Sequence, residues 1–208
     1  LHRDLRNPLP MAVKAEGPYV IDSAGKRYLD ASGGPAVSCL GHSHPKVIEA
    51  IRHQAGEIAF AYSAFFTHPA VEALADKLVA QAPAGLSRAF FVSGGSEAIE
   101  AAMKLARQYF LEIGQPTRRH FIARERSYHG NTLGALSLGH DVSRRQTYEP
   151  LLLPVTHISP CYEYRERRAD ETAEAYGIRI ADELEAAILR QGSENVAAFF
   201  AEPIAGSS

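Results

Sequence analysis

The stretch from Phe90 to Lys104 constrains the fold of this 208-residue chain more than any other. An apolar run ends at Ser93, Gly94 and Gly95 follow, and the sequence then continues with helical periodicity. A strand that turns on glycines into a helix points free backbone N–H groups, and the positive end of the helix dipole, at one spot. The stretch therefore predicts an anion site at the turn, most often a site for phosphate.

Downstream of residue 88, apolar runs alternate with helical segments. The runs are Ala89–Val92, His120–Ala123, Leu151–Ile158 and Val196–Ala201, and the helical segments are 97–112, 131–138 and 171–190. Short apolar strands separated by crossover helices are typical of an α/β fold with a mostly parallel sheet and helices on both faces. Ligands of such sheets bind beyond the carboxyl ends of the strands. That rule selects 93–96, 127–130 and 202–208.

The residues before 88 follow a different pattern. Residues 1–18 contain three prolines and are predicted to be irregular. A β-hairpin is predicted over 19–30 because two short apolar runs flank Ser23-Ala24-Gly25-Lys26. Helices are expected to begin after Pro45 and Pro69, where apolar residues recur at helical spacing.

Composition excludes several classes of function. A net charge of −2 gives no reason to expect a nucleic-acid or membrane partner, and no run approaches the ~20 apolar residues of a membrane span. Cys39 and Cys161 lie outside any CxxC spacing, so we expect reduced thiols and a cytoplasmic protein. His42 and His44 lack a third ligand of suitable spacing, and no metal site is expected.

Three strand ends carry candidate site residues. Gly94-Gly95-Ser96 could bind phosphate, but it also approximates the G-x-S-x-G turn of a serine hydrolase, with Ala98 at the last glycine position. Tyr128 could stack on a flat ring, and His129 beside it could donate a hydrogen bond. Glu202 follows the last apolar run and needs a hydrogen-bond partner or a cation if it is buried.

These segments together resemble the class III aminotransferases, which are pyridoxal-phosphate (PLP) enzymes of fold type I. The matching motifs, in the family's order and spacing, are Leu40-Gly41-His42-Ser43-His44-Pro45, Thr67-His68-Pro69, Phe91-Val92-Ser93-Gly94-Gly95-Ser96-Glu97-Ala98, Ser127-Tyr128-His129-Gly130-Asn131-Thr132 and Ala201-Glu202-Pro203-Ile204-Ala205-Gly206. The resemblance implies that residues 1–60 form an α+β segment of the small domain. It implies that residues 61–208 form the cofactor-binding large domain, incomplete at its C-terminus.

The resemblance also implies roles for single residues. Gly95 and Ser96 would bind the phosphate of PLP, and Gly94 would belong to the same cofactor-binding turn. Tyr128 would stack on its pyridine ring with His129 beside that ring, and Glu202 would join the hydrogen bonds at the phenolic edge. Substrate-pocket walls are expected at three further residues: Ala36, Tyr62 and Phe65. The family forms homodimers with active sites at the subunit interface, so the same is expected here.

The sequence departs from the family in one respect that bears on activity. Its only lysines are Lys14, Lys26, Lys46, Lys77 and Lys104, and none matches the Schiff-base position. We therefore expect the N-terminal half of a longer enzyme, inactive alone. Ser207 stands where relatives acting on ornithine or 4-aminobutyrate often carry Glu, which favours transfer from an amine or ω-amino acid to a keto acid such as pyruvate.

Other functions remain open on the sequence alone. A class III aminomutase or decarboxylase would share the same motifs. A serine hydrolase using Ser96 and a non-catalytic module without PLP are further alternatives.

Overall fold

A computed structural model describes residues 6–206, without the side chains of Pro35 and Ala36. The chain divides into two compact units, one ending at Ala89 and the other beginning at Phe90. The predicted boundary after residue 60 falls earlier. The assignment of residues 61–89 to the cofactor-binding domain therefore stays a prediction.

The first unit contains a three-stranded antiparallel sheet. Its strands are β1 (Ala12–Glu16), β2 (Tyr19–Asp22) and β3 (Arg27–Leu29), in the order β1-β2-β3. The hairpin predicted from the sequence corresponds to β2 and β3. That part of the prediction is confirmed.

Strand β1 corrects the prediction that residues 1–18 are irregular. Pro8 and Pro10 precede this strand and Pro18 follows it, so no proline removes an N–H from the hydrogen-bonded ladder. The prolines do not interrupt this strand but lie on either side of it.

The first unit contains a short helix that the sequence did not predict, α1 (Gly33–Ala36). The helices α2 (Pro45–Glu57) and α3 (Pro69–Gln81) begin where prolines predict them. Pro45 and Pro69 each occupy the first helical turn, where a missing N–H costs nothing because it would have no partner in the helix. None of the helices within residues 6–206 is long and apolar enough to cross a membrane.

One carboxylate closes the loop between β3 and α2. Asp30 accepts hydrogen bonds from Ser38 Oγ (2.8 Å), from His42 Nε2 (2.8 Å) and from the backbone N–H of Gly33 (2.9 Å). The bonds from Ser38 and His42 favour the ionised form and lower the pKa of Asp30 to about 2. His42 therefore serves the loop as a hydrogen-bond partner of Asp30.

The second unit contains the predicted parallel sheet. Its strands are β4 (His120–Arg124), β5 (Thr156–Ile158) and β6 (Val196–Phe200), in the order β5-β4-β6. Its α-helices are α4 (Gly95–Glu112), α5 (Leu133–Leu138), α6 (Val142–Arg145), α7 (Glu163–Glu166) and α8 (Ala173–Gln191), and short 3₁₀ helices cover Gln146–Leu151 and Ser193–Asn195.

Helices cover both faces of this sheet, as the sequence predicts. Successive residues of β4 point to opposite faces, and each joins a separate core. Ile122 packs with Ile158, Val196 and Ala187 of α8, and Leu184 of the same helix lies against this core. On the other face, the core is formed by Ala123 with Met103 of α4 and Leu138 of α5.

One predicted strand is wrong and another is shorter than predicted. Residues 89–92 form no strand, because nothing in 6–206 pairs with them, and the side chain of Phe90 is 82% exposed. The predicted strand over 151–158 is confined to Thr156–Ile158. Leu151 ends a 3₁₀ helix, and Pro154 has no N–H to donate to a ladder.

We predict that Asp30 makes folding stability acid-sensitive. The folded-state pKa of about 2 lies below the ordinary value, so this stabilisation is complete above about pH 4 and is lost as the pH falls towards 2. Asp30→Asn should lower stability at neutral pH and should flatten its dependence on pH between 4 and 2. Urea denaturation at several pH values measures both effects.

The control for that experiment is Asp76→Asn. Asp76 is exposed on α3, and within the described residues it makes no hydrogen bond or ion pair. Its variant should follow the wild-type pH profile. An Asp30→Asn profile parallel to the wild type would contradict the prediction.

Candidate functional site

The first turn of α4 has no side-chain cap at its N-terminus. Gly94 is the N-cap residue, in an extended conformation. The Glu97 carboxylate instead accepts a hydrogen bond from the N–H of Ser93 (2.8 Å), which closes the turn before the helix. The first N–H groups of α4 therefore remain available, at the positive end of an 18-residue helix.

The loop after β4 lies directly against this turn. Ser96 Oγ accepts a hydrogen bond from the N–H of Asn131 (2.9 Å), so the hydroxyl proton of Ser96 remains free to donate elsewhere. Gly130 is buried with φ +134°, and a Cβ placed on it would contact Ser96 Oγ and would lie 2.9 Å from Ser96 Cα. Glycine at position 130 is what permits this close approach.

Further hydrogen bonds join the same helix to α5. The carboxylate of Glu100 accepts hydrogen bonds from the N–H groups of Gly134 (2.8 Å) and Ala135 (3.3 Å). Thr132, the N-cap residue of α5, makes no side-chain cap, so Glu100 takes that role. Glu100 is a residue of this region that the motifs did not predict. Its spacing of four residues from Ser96, on the same helix face, was the available signal.

Tyr128 stands at the exposed side of this loop. Its N–H donates a hydrogen bond to Glu202 Oε2 (3.1 Å), which connects the loop after β4 to the end of β6. Its residue surface is 39% exposed, and the guanidinium carbon of Arg144 lies 4.7 Å from the ring centroid. Two predicted site residues, Tyr128 and Glu202, are thus brought together.

His129 is the buried member of the site. Its ring meets Phe200 edge to face, with centroids 6.3 Å apart. Burial lowers the pKa of His129, against a smaller opposing effect of the Glu202 charge, so the imidazole is neutral at pH 7. Its Nε2 is buried and has no hydrogen-bond partner in the described part of the chain. Such an orphaned atom is costly unless a further group reaches it.

A separate cavity of about 430 Å³ opens at the carboxyl ends of the strands. Its lining includes Arg126, Ser127, Tyr162 and Glu202. Of the predicted cofactor residues only Glu202 lines it. The predicted site residues are joined by contacts between the start of α4, the loop after β4 and the end of β6.

The predicted substrate-pocket residues belong to the first unit. Tyr62 and Phe65 are exposed and pack edge to face with ring centroids 5.5 Å apart. The side chain of Ala36 lies outside the described residues, as does Ser207. Their roles in substrate binding stay predictions.

Comparison with known proteins decides the family. A family model described as aminotransferase class-III matches residues 2–208. The chain belongs to this family. The resemblance carried by its motifs is confirmed.

Curated relatives support the same assignment. The chain is 45% identical over 199 residues to an uncharacterized aminotransferase of Schizosaccharomyces pombe, covering 95% of this chain and 43% of that protein. It is 37% identical over 196 residues to the putrescine–pyruvate aminotransferase of Pseudomonas aeruginosa, covering 93% and 42%. The chain thus spans less than half the length of these relatives.

A solved structure confirms the fold class. The omega-transaminase of Pseudomonas jessenii, crystallised in complex with PMP, shares 33% identity with this chain and superposes with a TM-score of 0.88. The match covers 95% of this chain and 44% of that chain. The predicted transaminase fold with its parallel sheet is therefore correct.

We predict that Gly130→Ala disrupts the contact between the loop and α4. A methyl group at this position would overlap Ser96 and would force an L residue to adopt φ +134°. The expected loss in free energy of unfolding is about 1–3 kcal/mol, measured by urea denaturation. Gly177→Ala is the matched control, because Gly177 lies in α8 with nothing within 4 Å of an added Cβ.

The control should leave stability unchanged or raise it by up to about 1 kcal/mol. Equal stability of the two alanine variants would show that Gly130 is not needed for the close approach.

Proposed function

We propose that the full-length protein is a PLP-dependent aminotransferase. In this proposal it transfers an amino group from an amine or ω-amino acid to a keto acid such as pyruvate. Membership of the class-III family supports the class of reaction. A relative named putrescine–pyruvate aminotransferase supports the choice of donor and acceptor.

The residues of the second unit fit PLP. The uncapped first turn of α4 and the free hydroxyl proton of Ser96 suit a phosphate group. The exposed ring of Tyr128 suits stacking on a pyridine ring. The main observation in favour of this fit is that His129 Nε2 is buried and has no hydrogen-bond partner within the described residues. A bound cofactor would supply a group near this atom.

Each residue then has a distinct task. The N–H groups of Gly95 and Ser96, with the Ser96 hydroxyl, would hold the phosphate. Gly94 would provide the extended backbone conformation that precedes the first turn of α4. Glu202 accepts from Tyr128 through Oε2, and its Oε1 makes no hydrogen bond within residues 6–206. That second oxygen would meet the phenolic edge of the cofactor. When bound, PLP supplies an electron sink for the substrate carbon that loses a proton.

The hydrolase alternative lacks an activated nucleophile. Ser96 Oγ is engaged by a backbone N–H, and among the described residues no histidine or carboxylate accepts its proton. A serine without an adjacent base is a poor nucleophile. Aminomutase and decarboxylase reactions of the same family remain alternatives for the same set of residues.

Dimer formation is also part of the proposal. Phe60, Phe65, Phe66 and Phe90 are more than two-thirds exposed, and in this proposal a second copy of the chain covers some of these side chains. The homodimer and its interfacial active sites, like the cytoplasmic location, remain predictions.

The function is tested with the full-length enzyme. We expect PLP-dependent turnover of amines or ω-amino acids with pyruvate.

Ser96→Ala should weaken PLP binding roughly 10- to 100-fold, because a charge-assisted hydrogen bond to phosphate is lost. Ser193→Ala, in an exposed 3₁₀ turn, is the control and should bind PLP normally. Turnover only of 4-aminobutyrate or ornithine with 2-oxoglutarate would reject the proposed substrates, and labelling of Ser96 by a fluorophosphonate would favour the hydrolase.

We further predict that the 208-residue polypeptide alone forms no cofactor adduct on lysine. Lys104 is the only lysine of the second unit, and it lies exposed on α4, about 13 Å along the helix axis from Gly95. Borohydride reduction with PLP, followed by peptide mapping, should give no stoichiometric pyridoxyl-lysine. The full-length enzyme is the positive control, and one stoichiometric adduct on the polypeptide would contradict the prediction.

A further inference from the structure

Arg144 is a charged residue that the proposed function does not use. Its guanidinium carbon lies 4.7 Å from the centroid of the Tyr128 ring and over the face of that ring. A cation within about 6 Å of an aromatic centroid is attracted by the negative face of the ring. One face of Tyr128 is therefore occupied by a cation of the same chain.

The position of Arg144 is fixed by an ion pair. Its Nε lies 3.2 Å from Asp141 Oδ2, one helical turn earlier. The other oxygen of Asp141 accepts hydrogen bonds from the N–H (2.9 Å) and Oγ (2.6 Å) of Ser143. Asp141 thus caps α6 and restrains Arg144 at the same time, which reduces the rotamer freedom of a long side chain.

Backbone hydrogen bonds bring α6 beside the loop of Tyr128. The N–H of His140 donates to the carbonyl oxygen of Ser127 (3.1 Å), and the N–H of Arg126 donates to the carbonyl oxygen of His140 (3.1 Å). The neighbouring Arg145 is buried and donates to the carbonyl oxygen of Gly139 (2.7 Å). The contact between Arg144 and Tyr128 therefore rests on an anchored backbone.

We propose that Arg144 is a positioning residue for Tyr128. It holds the ring in one orientation by occupying one face, and it leaves the opposite face for the pyridine ring of the cofactor. The inference rests on the proposed function, because it assumes that Tyr128 stacks on PLP. An aromatic ring that is already oriented loses less conformational entropy when the cofactor binds.

A double-mutant cycle in the full-length enzyme tests this role. Arg144→Met keeps much of the aliphatic stem and removes the charge, whereas Arg144→Lys keeps a cation. Each is made in the wild type and with Tyr128→Ala, and PLP dissociation constants are measured by titrating the apoenzyme. Circular dichroism of the bound cofactor reports the orientation of its ring independently of turnover.

Arg144→Met should raise the PLP dissociation constant roughly two- to fivefold, the range of an exposed cation–π contact, and should change the cofactor's dichroic band. Arg144→Lys should retain most of the wild-type affinity. In the Tyr128→Ala background, Arg144→Met should have no further effect, because the ring on which Arg144 acts is gone.

The control is a second arginine–tyrosine pair. The guanidinium of Arg27 lies 4.2 Å from the ring centroid of Tyr19 in the antiparallel sheet of the first unit. Arg27→Met removes a cation–π contact of the same kind and should leave PLP binding unchanged.

Two results would overturn the inference while the proposed function stands. One is an unchanged PLP affinity and dichroic band in Arg144→Met. The other is an equal loss of affinity with and without Tyr128, which would show that Arg144 acts on the cofactor by another route. Failure of the wild-type enzyme to bind PLP would instead overturn the proposed function and this inference with it.

Discussion

The close approach of Gly130 to Ser96 is the contact on which the candidate site depends. It places the loop after β4 against the first turn of α4, and the Asn131–Ser96 hydrogen bond holds it there. A side chain at position 130 would push the loop away from the helix. The first turn of α4 and the aromatic residue of the loop would then no longer be neighbours.

Three carboxylates accept hydrogen bonds from backbone N–H groups at the candidate site. Glu97 and Glu100, both on α4, accept from backbone N–H groups before the helix and at the start of α5, and Glu202 accepts from Tyr128. Backbone donors that would otherwise be unsatisfied are thereby paired, which favours one conformation of the loop. The N-terminus of α4 itself has no side-chain cap, and it is the place proposed for phosphate.

Local sequence signals predicted much of the second unit. Glycines followed by helical periodicity predicted α4, and short apolar runs predicted β4 and β6. The predicted strand at 89–92 failed because a strand needs a hydrogen-bonded neighbour, which no local pattern can supply. The motifs identify the candidate residues of the site. The hydrogen bond that Glu100 accepts at the start of α5 and the contact of Arg144 with the Tyr128 ring join segments that are separated in the sequence, so local patterns do not predict them.

The side chains of Tyr128 and His129 are held in place by different interactions. Tyr128 is exposed and is restrained by charged neighbours, with Glu202 on its backbone and Arg144 on its ring. His129 is buried against Phe200, and desolvation keeps it neutral. An exposed ring can accept a flat ligand on its open face, whereas a buried neutral imidazole can offer one hydrogen bond without adding charge. Adjacent residues thus offer an exposed ring and a buried imidazole, and the glycine that follows them allows the loop to lie against the first turn of α4, the site proposed for phosphate.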